Sequence, residues 1–270
     1  MTGLLRFTLV LSLLLPVVAA GERLPLIDCH LHYNADAVKT FPPALVIDWL
    51  DQAGIERALV SSTPNDGTRA LVAADPRRFV PLLRLYSSAA DLGTWFRDPK
   101  SVAMVEDSLA HGRYRGIGEF HVSGENASTE VVRRIAMLAE SNGLLLHAHS
   151  DATAIEKLFQ FAPKATVIWA HTGMDEPIET VRDMLSRHTR LYAELSYRAG
   201  LLDGDKLNPG WRAMLIEFSD RFVYGSDTWT TSRWPAVPAL AEVARGWLAQ
   251  LPLDVARKIA YENARRLLQN

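Results

Sequence analysis

The fold class is decided by one stretch of the sequence, residues 143–173, which reads GLLLHAHSDATAIEKLFQFAPKATVIWAHTG. The apolar run Leu144–His149 predicts a strand, Ala152–Phe161 has a helical pattern, and Thr166–Ala170 predicts a second strand. A strand, a helix and a strand within about 30 residues are typical of two parallel strands joined by a crossover helix. The stretch therefore indicates an α/β protein.

The same alternation continues in both directions from this unit. We predict eight strands, each followed by a helix: Leu24–Leu31, Ala58–Ser61, Val80–Tyr86, Arg115–Phe120, Leu144–His149, Thr166–Ala170, Arg190–Leu195 and Phe222–Tyr224. Eight such units in about 250 residues have the size of a (β/α)₈ TIM barrel. A doubly wound open sheet is the alternative, but it usually carries a glycine-rich phosphate turn, and the sequence has no G-x-G-x-x-G or P-loop pattern. We therefore predict a single-domain (β/α)₈ barrel.

The composition excludes several classes of protein. The chain has 270 residues, 48% of them apolar, and a formal charge of −2 from 29 basic and 31 acidic side chains. This apolar fraction and near-zero charge argue against disorder, and the lack of a basic cluster argues against a nucleic-acid partner. Because Cys29 is the single cysteine, an intrachain disulfide framework and a cysteine-rich zinc module are both excluded.

The first 20 residues predict a signal peptide. Arg6 precedes the apolar run Leu9–Val18, and the small residues that end at Ala20 fit a cleavage site for signal peptidase. The run is shorter than the roughly 20 residues that span a bilayer, so a membrane anchor is less favoured. A buried helix would need polar residues on one face. We expect a secreted or periplasmic protein whose domain covers residues 21–270, with no stable membrane insertion after cleavage.

Polar residues stand where the predicted strands end. On the first strand, Asp28, His30 and His32 share one face because side chains alternate along a strand. At intervals of about one βα unit, the later strand ends fall near Ser62, Tyr86, Glu119, His147, His171, Ser196 and Asp227. The active sites of such barrels lie at the carboxyl ends of the strands, so these side chains predict a catalytic site.

Imidazoles and carboxylates together favour a divalent metal ion. Zn²⁺ suits this donor set, and Mn²⁺ and Fe²⁺ are alternatives. Such an ion lowers the pKa of a bound water towards about 7. A carboxylate at the same water can take its proton and pass it to a leaving group, and Asp227 is our candidate for this catalytic role.

Several motifs resemble the amidohydrolase superfamily. They are the Asp28-x-His30-x-His32 pattern, the later strand-end residues His147, His171 and Asp227, and two segments, Tyr224–Asp227 and Tyr261–Leu268, that resemble its amidohydrolase-related branch. The resemblance covers nearly all of residues 24–268. It implies a metal-dependent barrel enzyme that hydrolyses amides, esters or lactones of small molecules, although some members of the branch are non-oxidative decarboxylases.

The resemblance also implies roles for individual residues. His30, His32 and Asp227 would bind one metal, and His147 and His171 a second, with Glu119 as the bridging group. Many members have a carboxylated lysine there, whereas the Gly118-Glu119 context is similar to that of TatD-like hydrolases. If one metal is bound, His147 completes its site and His171 has a catalytic role, polarising the substrate carbonyl. Glu119 favours two metals; the alternative for Glu119 is an ion pair with Arg115 or Arg84.

Other residues are weaker candidates. His149 shares a strand face with His147 and is a candidate substrate-binding residue, as is Arg84 for a substrate carboxylate. His121 is placed similarly, two residues beyond Glu119. Asp28 is expected to orient a ligand or the backbone.

The leading hypothesis is thus a secreted, metal-dependent hydrolase, and the alternative is a decarboxylase on the same scaffold. A non-enzymatic, metal-sequestering protein is a third reading, less favoured because every ligand position is filled. The sequence identifies neither the substrate nor the oligomeric state, and a homo-oligomer stays open.

Overall fold

Eight parallel strands form the centre of the molecule in this computed structural model, which describes residues 23–269. Each strand pairs with its neighbour in chain order. The strands are β1 (Leu26–Leu31), β2 (Ile55–Val60), β3 (Phe79–Leu83), β4 (Gly116–His121), β5 (Leu145–His149), β6 (Thr166–Trp169), β7 (Leu191–Glu194) and β8 (Phe222–Val223). The predicted order and direction of all eight strands are confirmed.

Backbone hydrogen bonds between β1 and the segment at the end of β8 close the sheet into a barrel. The amide of Cys29 donates to the carbonyl of Tyr224 at 2.8 Å, and the amide of Asp227 donates to the carbonyl of His30 at 2.7 Å. The segment after β8 therefore lies directly against β1. This contact places Asp227 beside the two histidines of β1, although they are about 200 positions apart in the chain.

Helices cover the outside of the barrel. In chain order they are α1 (Ala35–Thr40), α2 (Pro43–Ala53), α3 (Asp66–Ala74), α4 (Lys100–His111), α5 (Glu130–Ser141), α6 (Ala152–Phe161), α7 (Ile178–Arg187), α8 (Pro209–Glu217), α9 (Val237–Leu248), α10 (Leu253–Arg257) and α11 (Asn263–Gln269). Capping residues mark the ends of several of these helices. The Asp151 side chain accepts the Ala154 amide at the start of α6, and Gly54 ends α2 at φ +63°.

The strands are buried on both faces, as expected when helices surround a parallel sheet. All six residues of β1 are buried, including the polar Asp28 and His30. Apolar side chains such as Trp169 and Phe120 are fully buried in the same core. The polar residues of the barrel are thus removed from bulk water and need partners inside the protein.

Local differences from the sequence predictions concern short segments. The predicted C-terminal helix, residues 254–268, is divided by a π-helical turn, Lys258–Glu262, between α10 and α11. A two-stranded hairpin pairs Leu202–Asp203 with Lys206–Leu207 and was not predicted, because strands of two residues carry no periodic signal.

The predicted signal peptide and its cleavage site lie outside the described residues. Within residues 23–269, no helix combines the length and apolar character that a membrane span requires.

Candidate metal centre

Polar side chains from six strands meet at the carboxyl end of the barrel. The buried ones are His30 on β1, His32 directly after β1, Glu119 on β4, His147 on β5, His171 after β6, Glu194 at the end of β7, and Asp227 after β8. Each is at most 5% exposed. The structure therefore places every metal-ligand candidate from the sequence in one buried region.

Two imidazoles and one carboxylate form the tightest group. The Nε2 atoms of His30 and His32 are 3.0 Å apart. Asp227 Oδ1 lies 3.3 Å from Nε2 of His32 and 3.7 Å from Nε2 of His30. The donor atoms of these three residues are close enough to bind one ion.

The opposite nitrogen of each imidazole is fixed by an acceptor. Nδ1 of His30 donates to Glu194 Oε2 at 2.9 Å, and Nδ1 of His32 donates to the carbonyl of Ser61. Nδ1 of His171 donates to the carbonyl of Ser196 at 2.9 Å. Since a carbonyl only accepts, a neutral imidazole there must carry its proton on Nδ1 and present a lone pair at Nε2.

Those Nε2 lone pairs converge on the same space. Lone pairs on the Nε2 atoms of His30 and His32, 3.0 Å apart, cannot hydrogen-bond each other, so a cation or an added proton must lie between them. Histidines that bind a metal usually donate their other ring nitrogen to a carboxylate or a carbonyl. The acceptors on Nδ1 reproduce that pattern three times.

Glu119 stands between the histidines of β1 and His171. Its Oε1 lies 3.4 Å from Nε2 of His30 and 3.7 Å from Nε2 of His171, and its Oε2 lies 3.3 Å from Nε2 of His32. Burial alone would raise the pKa of Glu119, but the neighbouring imidazoles hold it well below its usual range. An ionised carboxylate in this position has the reach of a bridging ligand.

His147 occupies a different place from the one expected. It groups with His30 and Glu194, whereas Glu119 and His171 group with His30. Its ring centroid lies 4.5 Å from that of His30, and both of its ring nitrogens are buried without a partner. Burial lowers the pKa of His147 well below its usual value, so the ring is neutral and able to act as a ligand.

Negative charges outnumber positive ones among the buried side chains of the centre. Glu119, Glu194 and Asp227 bring three negative charges, and Arg84 brings one positive charge, when the imidazoles are neutral. Burial alone would lower the pKa of His30, but the carboxylates of Asp227, Glu119 and Glu194 raise it well above its usual value. The centre therefore attracts positive charge, which protons or a divalent cation can supply.

This donor set fits a divalent metal ion. Buried Asp227 Oδ1 and both nitrogens of His147 have no protein partner, and a bound ion would satisfy such atoms. Imidazole nitrogens with carboxylate oxygens suit Zn²⁺, Mn²⁺ or Fe²⁺. The residues that would hold an ion are His30, His32 and Asp227, with Glu119, His171 and His147 beside them.

Glu194 is the functional residue that the sequence analysis missed. The spacing of the strand ends pointed to Ser196, which lies two positions later on the same face. Glu194 is fully buried, and besides its bond to His30 it accepts the His171 amide at 3.1 Å. A glutamate within the predicted strand Arg190–Leu195 was a usable signal, because an unpaired buried carboxylate is costly.

The weaker candidates surround Glu119. Nδ1 of His149 lies 3.1 Å from Glu119 Oε1, and the His149 ring stacks on that of His121 at 4.3 Å. Arg84 pairs with Glu119 Oε2 at 3.1 Å, so one of the two predicted ion-pair alternatives for Glu119 is present. Asp28 accepts the His30 amide at 2.9 Å and the Ser226 amide at 3.1 Å, and it thereby orients the backbone of both strands.

Strained backbone is concentrated at this end of the barrel. Within residues 23–269, the non-glycine residues with positive φ are His171, Thr172, Met174, Tyr197 and Asp227. Side chains other than glycine adopt such conformations at a cost, and these residues cluster at functional sites. The strain here sets the directions of two candidate ligands, His171 and Asp227.

A cavity of about 790 Å³ opens above the centre. Its floor includes Glu119, His171 and Asp227. The side walls include Tyr86, His121, His149 and Leu92, and the outer part is lined by Met174, Tyr197 and Trp229. A small molecule in this cavity can reach the predicted ligands from one side.

A barrel with a buried histidine and carboxylate centre at its carboxyl end defines a class of metal-dependent barrel enzymes. Residues 27–269 match the family described as Amidohydrolase, and the chain belongs to this family. Its members are metal-dependent hydrolases and related enzymes that bind divalent metals, so the resemblance seen in the sequence is confirmed. The chain has no match among curated proteins.

Several solved structures have the same fold. A TIM-barrel protein from Bordetella bronchiseptica has a TM-score of 0.62 and 17% identity, with 91% of this chain and 98% of that chain covered. A protein from Pseudomonas putida assigned as a 2-pyrone-4,6-dicarboxylic acid hydrolase has a TM-score of 0.61 and 15% identity, with 90% of this chain and 97% of that chain covered. An amidohydrolase from Burkholderia multivorans with bound zinc has a TM-score of 0.58 and 14% identity, with 90% of this chain and 98% of that chain covered. At these identities the likeness shows the fold.

Proposed function

We propose that the protein is a hydrolase that uses a metal-activated water to cleave an amide, ester or lactone bond in a small molecule. One observation carries this proposal: the Nε2 atoms of His30, His32 and His171 and the carboxylates of Glu119 and Asp227 converge at the floor of the cavity. This donor set matches the chemistry that the family performs.

We propose that His30, His32 and Asp227 hold the first ion. Asp227 Oδ1 is buried without a protein partner and faces Nε2 of both histidines of β1. Glu194 and the Ser61 carbonyl hold the two imidazoles in the tautomer that a ligand needs. A divalent ion bound there lowers the pKa of a coordinated water and polarises a carbonyl oxygen.

We propose that Glu119 and His171 would hold a second ion, with Glu119 shared between the two ions, and that His147, which groups with His30 and Glu194, would be a further nitrogen ligand of the centre. Nδ1 of His171 donates to the Ser196 carbonyl, and burial lowers the pKa of His171, so its Nε2 carries a lone pair. A neutral imidazole in that tautomer accepts at Nε2 and cannot donate to a substrate carbonyl there. This tautomer favours His171 as a metal ligand. It does not favour the role of polarising the substrate carbonyl, which His171 would have in a one-metal site.

Asp227 is the proposed proton carrier. It lines the cavity, and its Oδ2 lies 3.9 Å from Nε2 of His171. Its carboxylate can accept the proton of the attacking water and return it to the leaving nitrogen or oxygen. The imidazoles of His30 and His32 hold the pKa of Asp227 below its usual range, although burial alone would raise it, so the group starts ionised.

The relatives support a carbonyl substrate. The protein from Pseudomonas putida is assigned to hydrolysis of 2-pyrone-4,6-dicarboxylic acid, and a 2-pyrone is a lactone. The relative from Burkholderia multivorans contains zinc, which supports Zn²⁺ as the proposed ion, with Mn²⁺ and Fe²⁺ as alternatives.

The test is turnover of a panel of esters, lactones and amides by metal-reloaded protein, with chelated protein and Asp227→Asn as comparisons. We expect hydrolysis that chelation abolishes and reloading restores. Release of CO₂ from carboxylate substrates without hydrolysis would overturn the proposal in favour of the decarboxylase alternative. Metal uptake without either reaction would favour the metal-sequestering alternative.

We also propose that residues 1–20 direct export to the periplasm or the medium. The expected result is an exported product whose intact mass begins at residue 21. An unprocessed cytosolic chain would contradict this assignment.

A further inference from the structure

Exposed aromatic rings are concentrated at the mouth of the cavity. Trp229 is 58% exposed and Tyr197 is 45% exposed, and within residues 23–269 they are the large aromatic side chains with this degree of exposure. Met174, which is 40% exposed, lines the same cavity. Exposed apolar side chains scattered singly need no explanation, but a cluster beside a buried polar centre is typical of a ligand site. We call these three residues the rim.

The rim is held in place by contacts that do not involve a ligand. The indole Nε1 of Trp229 donates to Tyr197 Oη at 3.3 Å. The Arg233 guanidinium lies 4.2 Å from the Tyr197 ring centroid, and it also donates to the Ser226 carbonyl at 2.8 Å. Tyr197 has φ +51°, so its backbone is strained as well. Rings fixed in this way lose little conformational entropy when a ligand binds.

The rim is continuous with the proposed reaction site. The ring centroid of Tyr197 lies 6.0 Å from that of His171, which is on the cavity floor. Tyr86 and Leu92 extend the wall on the other side. A substrate whose carbonyl lies at the floor therefore has its far end between the rim and this wall.

The cavity offers no uncommitted basic side chain to that far end. Of the described residues that line it, Arg84 carries the lysine or arginine charge, and that side chain is 7% exposed and paired with Glu119. The charge of Arg233 faces the Tyr197 ring. At the mouth stands the carboxylate of Asp36, which is paired with Lys39 at 3.4 Å. A carboxylate at the far end of a substrate would therefore find no lysine or arginine of the described cavity lining free to pair with it, and it would lie beside the apolar rim.

We propose that the rim is a subsite for an uncharged aromatic group of the substrate, joined through oxygen or nitrogen to the carbonyl carbon at which cleavage occurs. This inference rests on the proposed function, because it assigns the substrate class of the same site. It selects aryl esters, aryl amides and aryl-fused lactones over aliphatic substrates and over analogues with a carboxylate on the ring.

The first experiment measures binding without turnover. The probe is 2-naphthol, a product-like compound, added to metal-reloaded protein and followed by the tryptophan fluorescence or by calorimetry. Trp229→Ala should weaken binding by about 3–10-fold, the value of one aromatic contact. Trp229→Phe should restore most of the affinity, and Leu253→Ala, a remote and equally exposed apolar residue, should leave it unchanged.

The second experiment tests the charge. We expect 6-carboxy-2-naphthol to bind at least about 10-fold more weakly than 2-naphthol, because one unpaired charge costs at least that much. Equal or tighter binding of the carboxylated probe would overturn the proposal, as would unchanged 2-naphthol affinity in a folded Trp229→Ala variant. A dimer that Trp229→Ala dissociates would also overturn it, because the rim would then be an interface between two copies.

Failure of this inference and failure of the proposed function give different results. Hydrolysis of aliphatic esters without 2-naphthol binding would contradict the rim subsite and leave the hydrolase assignment intact. Binding of 2-naphthol with the expected variant effects, but without hydrolysis of any panel member, would retain the subsite and contradict the hydrolase.

Discussion

Two sets of buried polar residues, one at each end of the barrel, differ in their hydrogen-bond partners. At the carboxyl end, Asp227 Oδ1 and both nitrogens of His147 are buried without a partner. At the amino end, the amide of buried Asn263 donates to the carbonyls of Ser219 and Phe222 at 2.8 and 2.7 Å. Orphaned polar atoms cost stability, so a group of them among candidate metal ligands indicates a bound ligand, whereas the paired amide of Asn263 indicates a structural role.

Two arginines, one at each end of the barrel, also differ in their partners. At the amino end, Arg245 donates to the carbonyls of Leu24 and Ala53, each at 2.8 Å, and so ties α9 to the start of the barrel. At the carboxyl end, Arg84 pairs with Glu119, which also faces four imidazoles. Substitutions at the amino end should therefore change stability alone, whereas at the carboxyl end stability is coupled to metal binding and to pH.

The largest expected effect is that of Asp227→Asn at the carboxyl end. Loss of the proton carrier and of a charged ligand should lower kcat/KM by about 10³-fold or more, with the circular dichroism spectrum unchanged. Asp203→Asn, in the exposed hairpin, is the matched control and should keep full activity. Substantial turnover by Asp227→Asn would remove this residue from the mechanism.

At the amino end, Asn263→Ala should lower the free energy of unfolding by about 2–4 kcal/mol, because two buried carbonyls lose their donor. Metal content and kcat/KM should stay at the unaltered values. Denaturant unfolding measures the first quantity, and elemental analysis and kinetics measure the others. Asn142→Ala, at an exposed helix end, is the control. A fall in metal content would show that the two ends are not separable.

Glu194→Gln tests the acceptor behind His30. The neutral amide weakens the hydrogen bond to Nδ1 and leaves His30 less well oriented, so metal affinity should fall by about 10–100-fold. Competition with a chromogenic chelator measures it. The exposed Glu179→Gln is the matched control. Unchanged affinity would mean that Glu194 does not orient His30.

The smallest effect is a pH dependence of metal binding. In the metal-free protein, the proton on His30 stabilises the fold, because carboxylates raise the folded pKa of His30 above the ordinary value of about 6.5. That stabilisation is complete below about pH 6.5 and is lost as the pH rises through the folded pKa.

A metal ion displaces this proton, so the increase in Tm on metal loading should grow as the pH rises towards the folded pKa of His30, and the free energy of metal binding should become more favourable by about 1.4 kcal/mol per pH unit for each proton released. Thermal unfolding of loaded and metal-free protein measures this. The same increase at every pH would contradict the prediction. Asn263→Ala should lower Tm without changing the pH dependence.

Much of this arrangement could be predicted from the sequence. The runs of apolar residues located all eight strands, since strands buried on both faces are continuously apolar. The side-chain alternation then placed His30, His32, Glu119, His147 and His171 on the interior side. These features are local, and a single chain carries them without knowledge of contacts.

The remainder depends on contacts between distant segments. Whether Glu194 or Ser196 reaches His30 cannot be predicted from spacing, because both are on the same face of β7. The tautomers of His32 and His171 are set by the carbonyls of Ser61 and Ser196, which belong to neighbouring segments. Tyr197 and Trp229 follow the seventh and eighth predicted strands, where specificity is decided, but the sequence could not predict that they form a rim, because their contact depends on how two loops meet.

The most direct test of the central claim is elemental analysis of residues 21–270 after chelation and reloading with Zn²⁺, beside Glu119→Gln. We predict stoichiometric uptake, with two ions per chain as in other bridged sites, and about half of that content in Glu119→Gln. A folded protein that takes up no metal from any of Zn²⁺, Mn²⁺ and Fe²⁺ would contradict it.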